Sequence, residues 1–412
     1  MKVCGIIAEY NPFHNGHLHH LQESICLSQA DYTIVVMSGN FMQRGTPALM
    51  DKYDRARAAL ECGADLIIEL PAYYATGSAE YFALGSVSLL DKLGIVTHLC
   101  FGSECGDLDF LSKVAHITAD ESESYQKCLQ SHIKSGKTYP SARTAAIIEV
   151  CPELSSSITG LTTPNNILGI EYIKALNRFN SPITPITLKR LGSDYHDIRL
   201  GMNQSSATAI RQAISNDVDL EALSSQMPNK SYEILSEYLL ENHPLFPSDF
   251  SEVLYYKLLT EQDIGFTDYI DVSKSLSDRI CKNLYAFDGF EAFCNLLKTK
   301  EVTYSRISRC LLHIMLNMRK KELDSYINEL DITPYVRILG FRKASANLLT
   351  EISKASSIPM LTKLANAQNI LSEEAYEKLK KEILINDIYT CIRASKNKKP
   401  MRNEYSTPIV IV

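Results

Sequence analysis

The stretch KVCGIIAEYNPFHNGH, residues 2 to 17, decides the fold class of this chain. It opens with an apolar, β-branched run from Lys2 to Ala8, which predicts a buried strand. A loop with Asn11 and Pro12 follows, and a helical pattern then runs from Gly16 to about Gln29. A strand that passes through a short loop into a helix is the first unit of a doubly wound α/β sheet.

The same alternation continues for about two hundred residues. Further strands are predicted at Tyr32 to Met37, Asp65 to Leu70, Thr97 to Phe101 and Ile183 to Leu188. Helices are predicted at Asp51 to Cys62, at Ser78 to Leu93, after Pro164 with Asn165 and Asn166 as caps, and from Ser206 or Thr208 through Ile214. We therefore predict a Rossmann-like domain whose ligand crevice lies beyond the carboxyl ends of the parallel strands.

Beyond Asp217 the pattern changes, because long helical periods replace the strands. They span Tyr232 to Leu240, Val253 to Leu259, Ile307 to Met318 and Glu373 to Ile385. We predict a catalytic domain over residues 1–215 and an α-helical C-terminal domain over residues 216–412.

The composition is that of a folded globular chain, with 412 residues, 45% hydrophobic and 22% charged. No apolar run approaches the roughly 20 residues that cross a bilayer, so we expect no membrane association. The N-terminal residues are interpreted as a strand and not as a signal peptide, which predicts a cytosolic protein whose eleven cysteines are reduced. No metal site is predicted, since no CxxC pair occurs.

The net charge of −6 hides a strong partition along the chain. Residues 1–215 carry 17 basic and 21 acidic side chains, residues 216–295 carry 5 and 15, and residues 296–412 carry 20 and 12. The excess of basic residues in 296–412 predicts that an anionic partner binds this end of the chain. The net charge of the whole chain conceals this excess.

The chemistry is carried by the HxGH pattern of His14, Gly16 and His17. It lies where a strand leads into a helix, so helix-terminal N–H groups and two imidazoles can bind the phosphates of a nucleotide. Together with a later SSATAIR run from Ser205 to Arg211, this pattern resembles the HxGH nucleotidyltransferase superfamily. The second motif usually reads ISSTxIR there; this chain has Ser205 for the Ile and Ala207 for the second Ser.

A closer resemblance covers nearly the whole chain. Its blocks are CGIIAEYNPFHNGH, SGNFMQRGTPA, DLIIELP, FGSE, LTTPNNILGIEY and LKRLGSDYHD, and together they resemble the bacterial tRNA(Met) cytidine acetate ligase family. The resemblance implies that ATP and acetate form acetyl-adenylate and that the acetyl group passes to N4 of the wobble cytidine of elongator tRNA(Met). Mg²⁺ would be carried by the triphosphate.

The resemblance also implies the site residues. His14 and His17 are the predicted catalytic residues. The predicted ATP-binding residues are Ile7, Ala8, Glu9, Tyr10, Asn11, Pro12, Phe13, His14, Asn15, Gly16, His17, Leu18, His19, His20, Gly102, Asn165, Arg190, Leu191, Ser206 and Thr208. Ser38, Gly39 and Asn40 follow a strand and are considered for the acetate pocket, with a plain turn as an equal alternative.

The tRNA is expected on the basic end of the chain. Arg306 and Arg309 share a helix face, and Lys396, Lys398 and Lys399 belong to a basic stretch from Cys391 to Asn403, interpreted as a flexible arm.

Two alternatives remain at the sequence level. One is a small-molecule nucleotidyltransferase that makes a dinucleotide cofactor, against which the large basic appendage argues. The other is a non-enzymatic nucleotide-sensing or RNA-binding protein, against which the intact HxGH argues.

Overall fold

A computed structural model describes residues 1–119, 122–190, 205–327 and 332–412, with the backbone alone for residues 156–159. The strands are β1 Val3–Ala8, β2 Tyr32–Ser38, β3 Leu66–Leu70, β4 His98–Ser103, β5 Thr184–Lys189, β6 Val336–Phe341, β7 Met360–Leu361 and β8 Val410–Ile411. The helices are α1 Asn15–Ser28, α2 Lys52–Glu61, α3 Ala72–Ala75, α4 Ala79–Lys92, α5 Leu108–Ala119, α6 Glu123–Lys134, α7 Tyr139–Val150, α8 Pro164–Arg178, α9 Ala207–Ser215, α10 Asn229–Glu241, α11 Ser251–Glu261, α12 Lys274–Asn283, α13 Phe290–Leu297, α14 Tyr304–Met315, α15 Lys320–Ile327, α16 Ala346–Ala355, α17 Ala367–Ile370 and α18 Glu373–Asn397.

The strands form one sheet in the order β5-β4-β1-β2-β3-β6-β7, with β8 beside β6. Strands β1 to β5 are all parallel to one another. Strand β6 pairs with the outer edge of β3 and is antiparallel to it. The chain runs from β1 outward to β2 and β3 and then returns to β4 on the other side of β1. This reversal is the topological switch of a doubly wound sheet, and it confirms the predicted fold class.

Helices cover both faces of the sheet. One face packs on α1 and α2, and the other on α4, α5 and α8. The core on the face covered by α4, α5 and α8 continues into the C-terminal helices. There the Tyr74 hydroxyl of α3 donates to the Tyr326 carbonyl of α15 at 2.9 Å.

The prediction that strands cease after Asp217 is wrong, because β6, β7 and β8 lie in the C-terminal half. Strand β6 is buried along nearly its whole length, so it has no polar alternation to distinguish it from a buried helix. Its partner β3 lies far away in sequence, and no local pattern encodes that pairing. The domain boundary near residue 215 therefore stays a proposal.

The predicted helix starts hold with one correction. Asp51 and Ser78 cap α2 and α4 through their side chains, as expected at those positions. Helix α8, however, is preceded by Thr163 as the cap residue, and Pro164 occupies its first turn, where its missing N–H costs nothing. The two asparagines predicted as caps lie inside this first turn and bond elsewhere.

Three further features concern the described residues. None of their helices is long and apolar enough to span a membrane. All eleven cysteines are free thiols. No group of three or more His, Cys, Asp or Glu among the described residues could hold a metal ion.

Candidate active site

A cavity of about 200 Å³ opens beyond the carboxyl ends of β1 and β4, at the switch point of the sheet. Many of the residues predicted from the sequence meet there. They are Ile7, Ala8, Glu9, Tyr10, Asn11, His14, His17, His20, Gly102, Asn165, Arg190, Ser206 and Thr208.

The remaining predicted residues of the first loop and helix lie behind this lining. Phe13 is buried in the core under α1, and the Asn15 side-chain amide donates to the Ser225 carbonyl at 2.8 Å. Pro12, Gly16, Leu18 and His19 also lie outside the cavity lining. Leu191 lies outside the described residues.

His14 and His17 form a fixed pair at the start of α1. His14 caps the helix, and its Nδ1 accepts from the Gly16 N–H at 3.0 Å. The His17 Nδ1 accepts from the His14 N–H at 3.2 Å, and the ring centroids are 3.8 Å apart. Because each Nδ1 is an acceptor, each neutral ring carries its hydrogen on Nε2. Both histidines therefore present an Nε2–H donor.

Gly16 makes this pair possible. A Cβ at this position would lie 2.9 Å from the Cε1 atom of His14, closer than carbon atoms pack. A glycine is therefore required for the His14 ring to fold back onto the backbone of its own helix.

The histidines of the cavity are held neutral. Burial lowers the pKa of His14 to about 3, with further lowering by the nearby Arg190 and Arg211. Burial likewise lowers the pKa of His17 well below its usual range and that of His20 to about 4. The positive charge facing the cavity thus comes from arginines, and the imidazoles act as neutral hydrogen-bond donors.

Arg190 and Gly102 lie together at the ends of β5 and β4. A Cβ on Gly102 would be 3.1 Å from the Arg190 Cγ, so the bare backbone of residue 102 lets the arginine lie across it. Asn165 lines the same side, and its Nδ2 donates to Glu104 Oε1 at 2.7 Å. Together they give this side of the cavity an exposed backbone, an amide and a guanidinium.

Helix α9, which begins within the second motif, closes the cavity. Ser206 caps it by accepting from the Ala209 N–H at 3.1 Å. Arg211 donates to the Asn11 carbonyl at 2.6 Å and to the Thr208 hydroxyl at 3.1 Å. The second motif is thereby tied to the first, and Ala207 lines the cavity where the family pattern has a hydroxyl.

The cavity lining also includes residues that the sequence reasoning did not select. They are Gln43, Arg44, Phe82, Phe101, Leu168 and Tyr172, and Arg211 is a further addition. Gln43 and Arg44 belong to the SGNFMQRGTPA block, and Arg211 closes the SSATAIR run, so both motifs contained a usable signal. The aromatic residues gave none, because a buried ring in a helix or strand has the pattern of core.

Arg55 of α2 fixes the ends of β1 and β2 next to the cavity. Its fully buried guanidinium donates to the Glu9 carbonyl at 2.6 Å, to the Ser38 carbonyl at 3.1 Å and to the Gly39 carbonyl. These carbonyls end β1 and β2, so one side chain satisfies the acceptors that both strands leave unpaired.

The residues considered for an acetate pocket lie elsewhere. Asn40 donates to Asn386 Oδ1 at 2.5 Å and accepts from the Lys52 N–H at 2.8 Å. Ser38, Gly39 and Asn40 are absent from the cavity lining that the described residues form. They lie in the turn after β2, and a part for them in the acetate pocket stays a prediction.

The predicted tRNA-binding residues differ in their contacts. Arg306 and Lys398 are exposed. Arg309 faces Asp271 at 3.5 Å, Lys396 pairs with Asp249 at 2.8 Å, and Lys399 donates to the Glu241 carbonyl at 2.7 Å.

The interpretation of residues 391–403 as a flexible arm is wrong for residues 391–397. Helix α18 continues to Asn397, and its Arg393 is ion-paired with Asp51. Basic residues in a stretch without acids can still pair with acids from distant segments.

The comparisons with known proteins cover all or nearly all of the chain. The HIGH Nucleotidyl Transferase family model matches residues 1–404. The tRNA(Met) cytidine acetate ligases of Thermoanaerobacter sp. and Acetivibrio thermocellus are 42% and 39% identical, each over all of both chains. The crystal structure of Thermotoga maritima TmcAL bound with α-thio ATP superposes with a TM-score of 0.92 at 32% identity, again over 100% of both chains.

Proposed function

The chain belongs to the HIGH nucleotidyl transferase family and, within it, to the tRNA(Met) cytidine acetate ligases, and we propose from this membership how its residues carry the reaction. It is an ATP-dependent ligase that works in two half-reactions. Acetate and ATP first give acetyl-adenylate and pyrophosphate. The acetyl group then passes to N4 of the wobble cytidine of elongator tRNA(Met), which yields N4-acetylcytidine and AMP.

The observation that carries this proposal is the donor set at the switch point. His14 and His17 offer Nε2–H donors, and Arg190 and Arg211 stand close enough to lower the pKa of His14. In the first half-reaction an acetate oxygen attacks the α-phosphorus in line, and pyrophosphate leaves. Preorganised donors and guanidinium groups stabilise the charge that develops on the phosphate oxygens, so no side-chain nucleophile is needed.

We assign the nucleotide to the side of the cavity formed by β4, β5 and α8. There the adenosine would lie against Gly102 beside Asn165 and Arg190, and the phosphates would extend to the histidine pair and to Ser206 and Thr208 of the second motif. The predicted segment from Ile7 to His20 forms the floor, partly by direct lining and partly by holding the lining in place. Leu191 follows Arg190 and is kept in the proposal by sequence position alone.

Mg²⁺ belongs to the triphosphate in this proposal. Phosphate oxygens and water are the ligands it prefers, and it would reduce the negative charge of the triphosphate. Acetate enters as the free carboxylate. Because its tRNA substrate is found in the cytoplasm, we expect the protein to act there.

The tRNA is proposed to lie on the basic C-terminal region. Arg306 and Lys398 are exposed and available for a phosphate backbone. Arg309, Lys396 and Lys399 are proposed as secondary contacts, since each already has an acidic or carbonyl partner that an RNA phosphate would have to compete with.

The test is to incubate the protein with ATP, labelled acetate and deacylated bulk tRNA, and to digest the tRNA to nucleosides. Labelled N4-acetylcytidine is the expected product, and omission of ATP should abolish it. A protein that binds ATP yet leaves the nucleosides unlabelled would contradict the proposal. A small-molecule nucleotidyltransferase would instead release pyrophosphate only with a phosphate ester.

A further inference from the structure

Glu9 places a carboxylate in a cavity whose other polar groups suit phosphates. Its Oε1 accepts from the Gln43 backbone N–H at 2.7 Å, and Oε2 receives no hydrogen bond from the residues that the structure describes. A carboxylate repels the phosphates of ATP, so Glu9 is poorly explained as a phosphate ligand. A free carboxylate oxygen instead attracts an N–H donor.

The sheet order places Glu9 between the nucleotide side and the segment after β2. Glu9 follows β1 and is bonded to the segment after β2, whereas Gly102 and Arg190 end β4 and β5 on the other side of β1. Neighbouring strands are about 4.8 Å apart, so β1 is about 5 Å from β4 and roughly 10 Å from β5.

Glu9 and Gln43 together match one edge of cytosine. Cytosine has an N4 amine donor beside the N3 acceptor, and a carboxylate is the usual acceptor for that amine. Gln43 lines the cavity, and an amide side chain at this place can donate to N3. Phe82 of α4, outside the elements assigned to the nucleotide, supplies buried aromatic surface on which a flipped-out base can stack.

We propose that Glu9 is a catalytic residue of the second half-reaction, in which its carboxylate binds the cytosine N4 amine and takes its proton. This inference rests on the proposed function. The N4 lone pair forms a bond to the acetyl carbonyl carbon, and the bond from that carbon to the phosphate oxygen breaks. AMP leaves with the electron pair, and one N4 proton passes to Glu9, which later releases it to water.

The step needs such a base. The N4 lone pair is conjugated with the ring, so the amine is a weak nucleophile, and its nitrogen becomes acidic as the new bond forms. A positioned base at this point contributes about 100-fold to 10,000-fold in rate.

The experiment separates the two half-reactions in Glu9→Gln. Glutamine keeps a carbonyl oxygen that can accept from the Gln43 N–H, so the loop contact survives while the base is removed. Acetate-dependent ATP–pyrophosphate exchange measures the first half-reaction. Single-turnover transfer from preformed, labelled acetyl-adenylate to tRNA(Met) measures the second, and Glu61→Gln, at the exposed end of α2, is the matched control.

We expect Glu9→Gln to reduce transfer by about 100-fold or more, and by at least about ten times the factor by which it reduces pyrophosphate exchange. Transfer within three-fold of the wild type would overturn the inference. So would an equal loss of exchange and transfer, or a raised KM for ATP, because Glu9 would then serve the loop or the adenine amine. If the wild type itself exchanges pyrophosphate but forms no N4-acetylcytidine, the proposed function fails and this inference fails with it.

Discussion

At the scale of single residues, the site depends on two hydrogen bonds that fix the tautomers of a histidine pair. The backbone N–H groups of Gly16 and His14 occupy the Nδ1 atoms of His14 and His17, so Nε2 must carry the proton in both rings. Burial and arginine neighbours keep the rings neutral near pH 7. The donors are thus set before any substrate arrives, which is the condition under which electrostatic stabilisation is most effective.

The first prediction concerns His14. In His14→Ala the helix loses its cap and the cavity loses one preorganised donor, so acetate-dependent ATP–pyrophosphate exchange should fall by roughly 100-fold to 1,000-fold. Binding of tRNA, measured by filter retention, should survive. His116→Ala on the exposed side of α5 is the control and should exchange like the wild type. Undiminished exchange in His14→Ala would refute the phosphate role of this histidine.

Only some residues of the site can be predicted from the sequence. His14 and His17 follow a predicted strand within one short motif, so their function can be inferred from local sequence. Arg55 and Gln43 contact Glu9 across 46 and 34 residues. Those contacts exist only because β1 and β2 are adjacent, and no local pattern encodes them. The aromatic residues of the cavity could not be predicted for a different reason. A buried core and a binding site use the same aromatic side chains, so the sequence pattern does not distinguish them.

At the scale of elements, the segment between β2 and α2 joins the catalytic cavity to the helical half. It carries Gln43 and Arg44 into the cavity and then turns at Gly45, with φ of 76°. The Ser308 hydroxyl of α14 donates to the Gly45 carbonyl at 2.9 Å. The cavity-lining segment therefore lies directly on the helix that carries Arg306 and Arg309.

The second prediction uses this contact. A Cβ in Gly45→Ala would lie 2.4 Å from the backbone nitrogen of Arg309, in addition to the strain of its positive φ. Strain of about 1 kcal/mol and overpacking of about 1 to 3 kcal/mol should add in the free energy of unfolding, measured in urea. Acetyl transfer should fall as well, because Gln43 and Arg44 are displaced.

Gly136→Ala is the matched control for this change. Gly136 has φ of 89° and no atom within 4 Å of its added Cβ, so the control has the backbone strain without the clash. If both variants are destabilised equally, the close contact between the segment and α14 does not exist.

At the scale of the whole molecule, fewer cations of the basic C-terminal region are available to bind tRNA than its charge count suggests. Lys396 binds Asp249 and the Pro244 carbonyl, at 2.8 and 2.9 Å, and Arg393 binds Asp51. These cations stabilise the fold, and reversing their charge would damage it. The exposed Arg306 and Lys398 are the cations whose replacement tests binding.

The third prediction therefore concerns Arg306→Glu combined with Lys398→Glu. Affinity for tRNA(Met) should fall, and the dependence of log Kd on log salt should weaken by about one unit for each phosphate that the protein no longer neutralises. Exchange of pyrophosphate should be unchanged. Lys134→Glu, an exposed reversal on α6, is the control, and equal tRNA affinity in both variants would remove these two residues from the interface.

A buried ionic cluster connects the two halves of the chain. Lys52 at the start of α2 contacts Glu69 of β3 at 2.8 Å and Glu404 at 2.6 Å. Arg337 of β6 contacts Glu69 at 3.2 Å and also pairs with Glu404. The two cations and two anions come from both halves and balance one another. The C-terminal segment therefore supplies charges on which the catalytic sheet depends, whichever boundary is drawn near residue 215.

The last prediction is that Glu404→Gln destabilises the entire chain. Burial alone would raise the pKa of Glu404, but Lys52 and Arg337 outweigh it and hold that pKa at about 2. Its removal leaves two buried cations with one anion, which costs about 3 to 5 kcal/mol. Glu377→Gln breaks only the exposed pair with Lys380 and should cost less than about 1 kcal/mol. Urea unfolding at pH 7 measures both.

The pH dependence of this stabilisation follows from the direction of the shift. The carboxyl of Glu404 has a pKa below its ordinary value of 4.5, so its contribution is complete above about pH 4.5 and is lost as the pH falls toward 2. Roughly 1 kcal/mol of it should disappear in the wild type between pH 7 and pH 4 and be absent from the pH dependence of Glu404→Gln. Parallel curves for the two proteins would mean that Glu404 is not held ionised by Lys52 and Arg337, and the ionic cluster would then contribute nothing to joining the two halves of the chain.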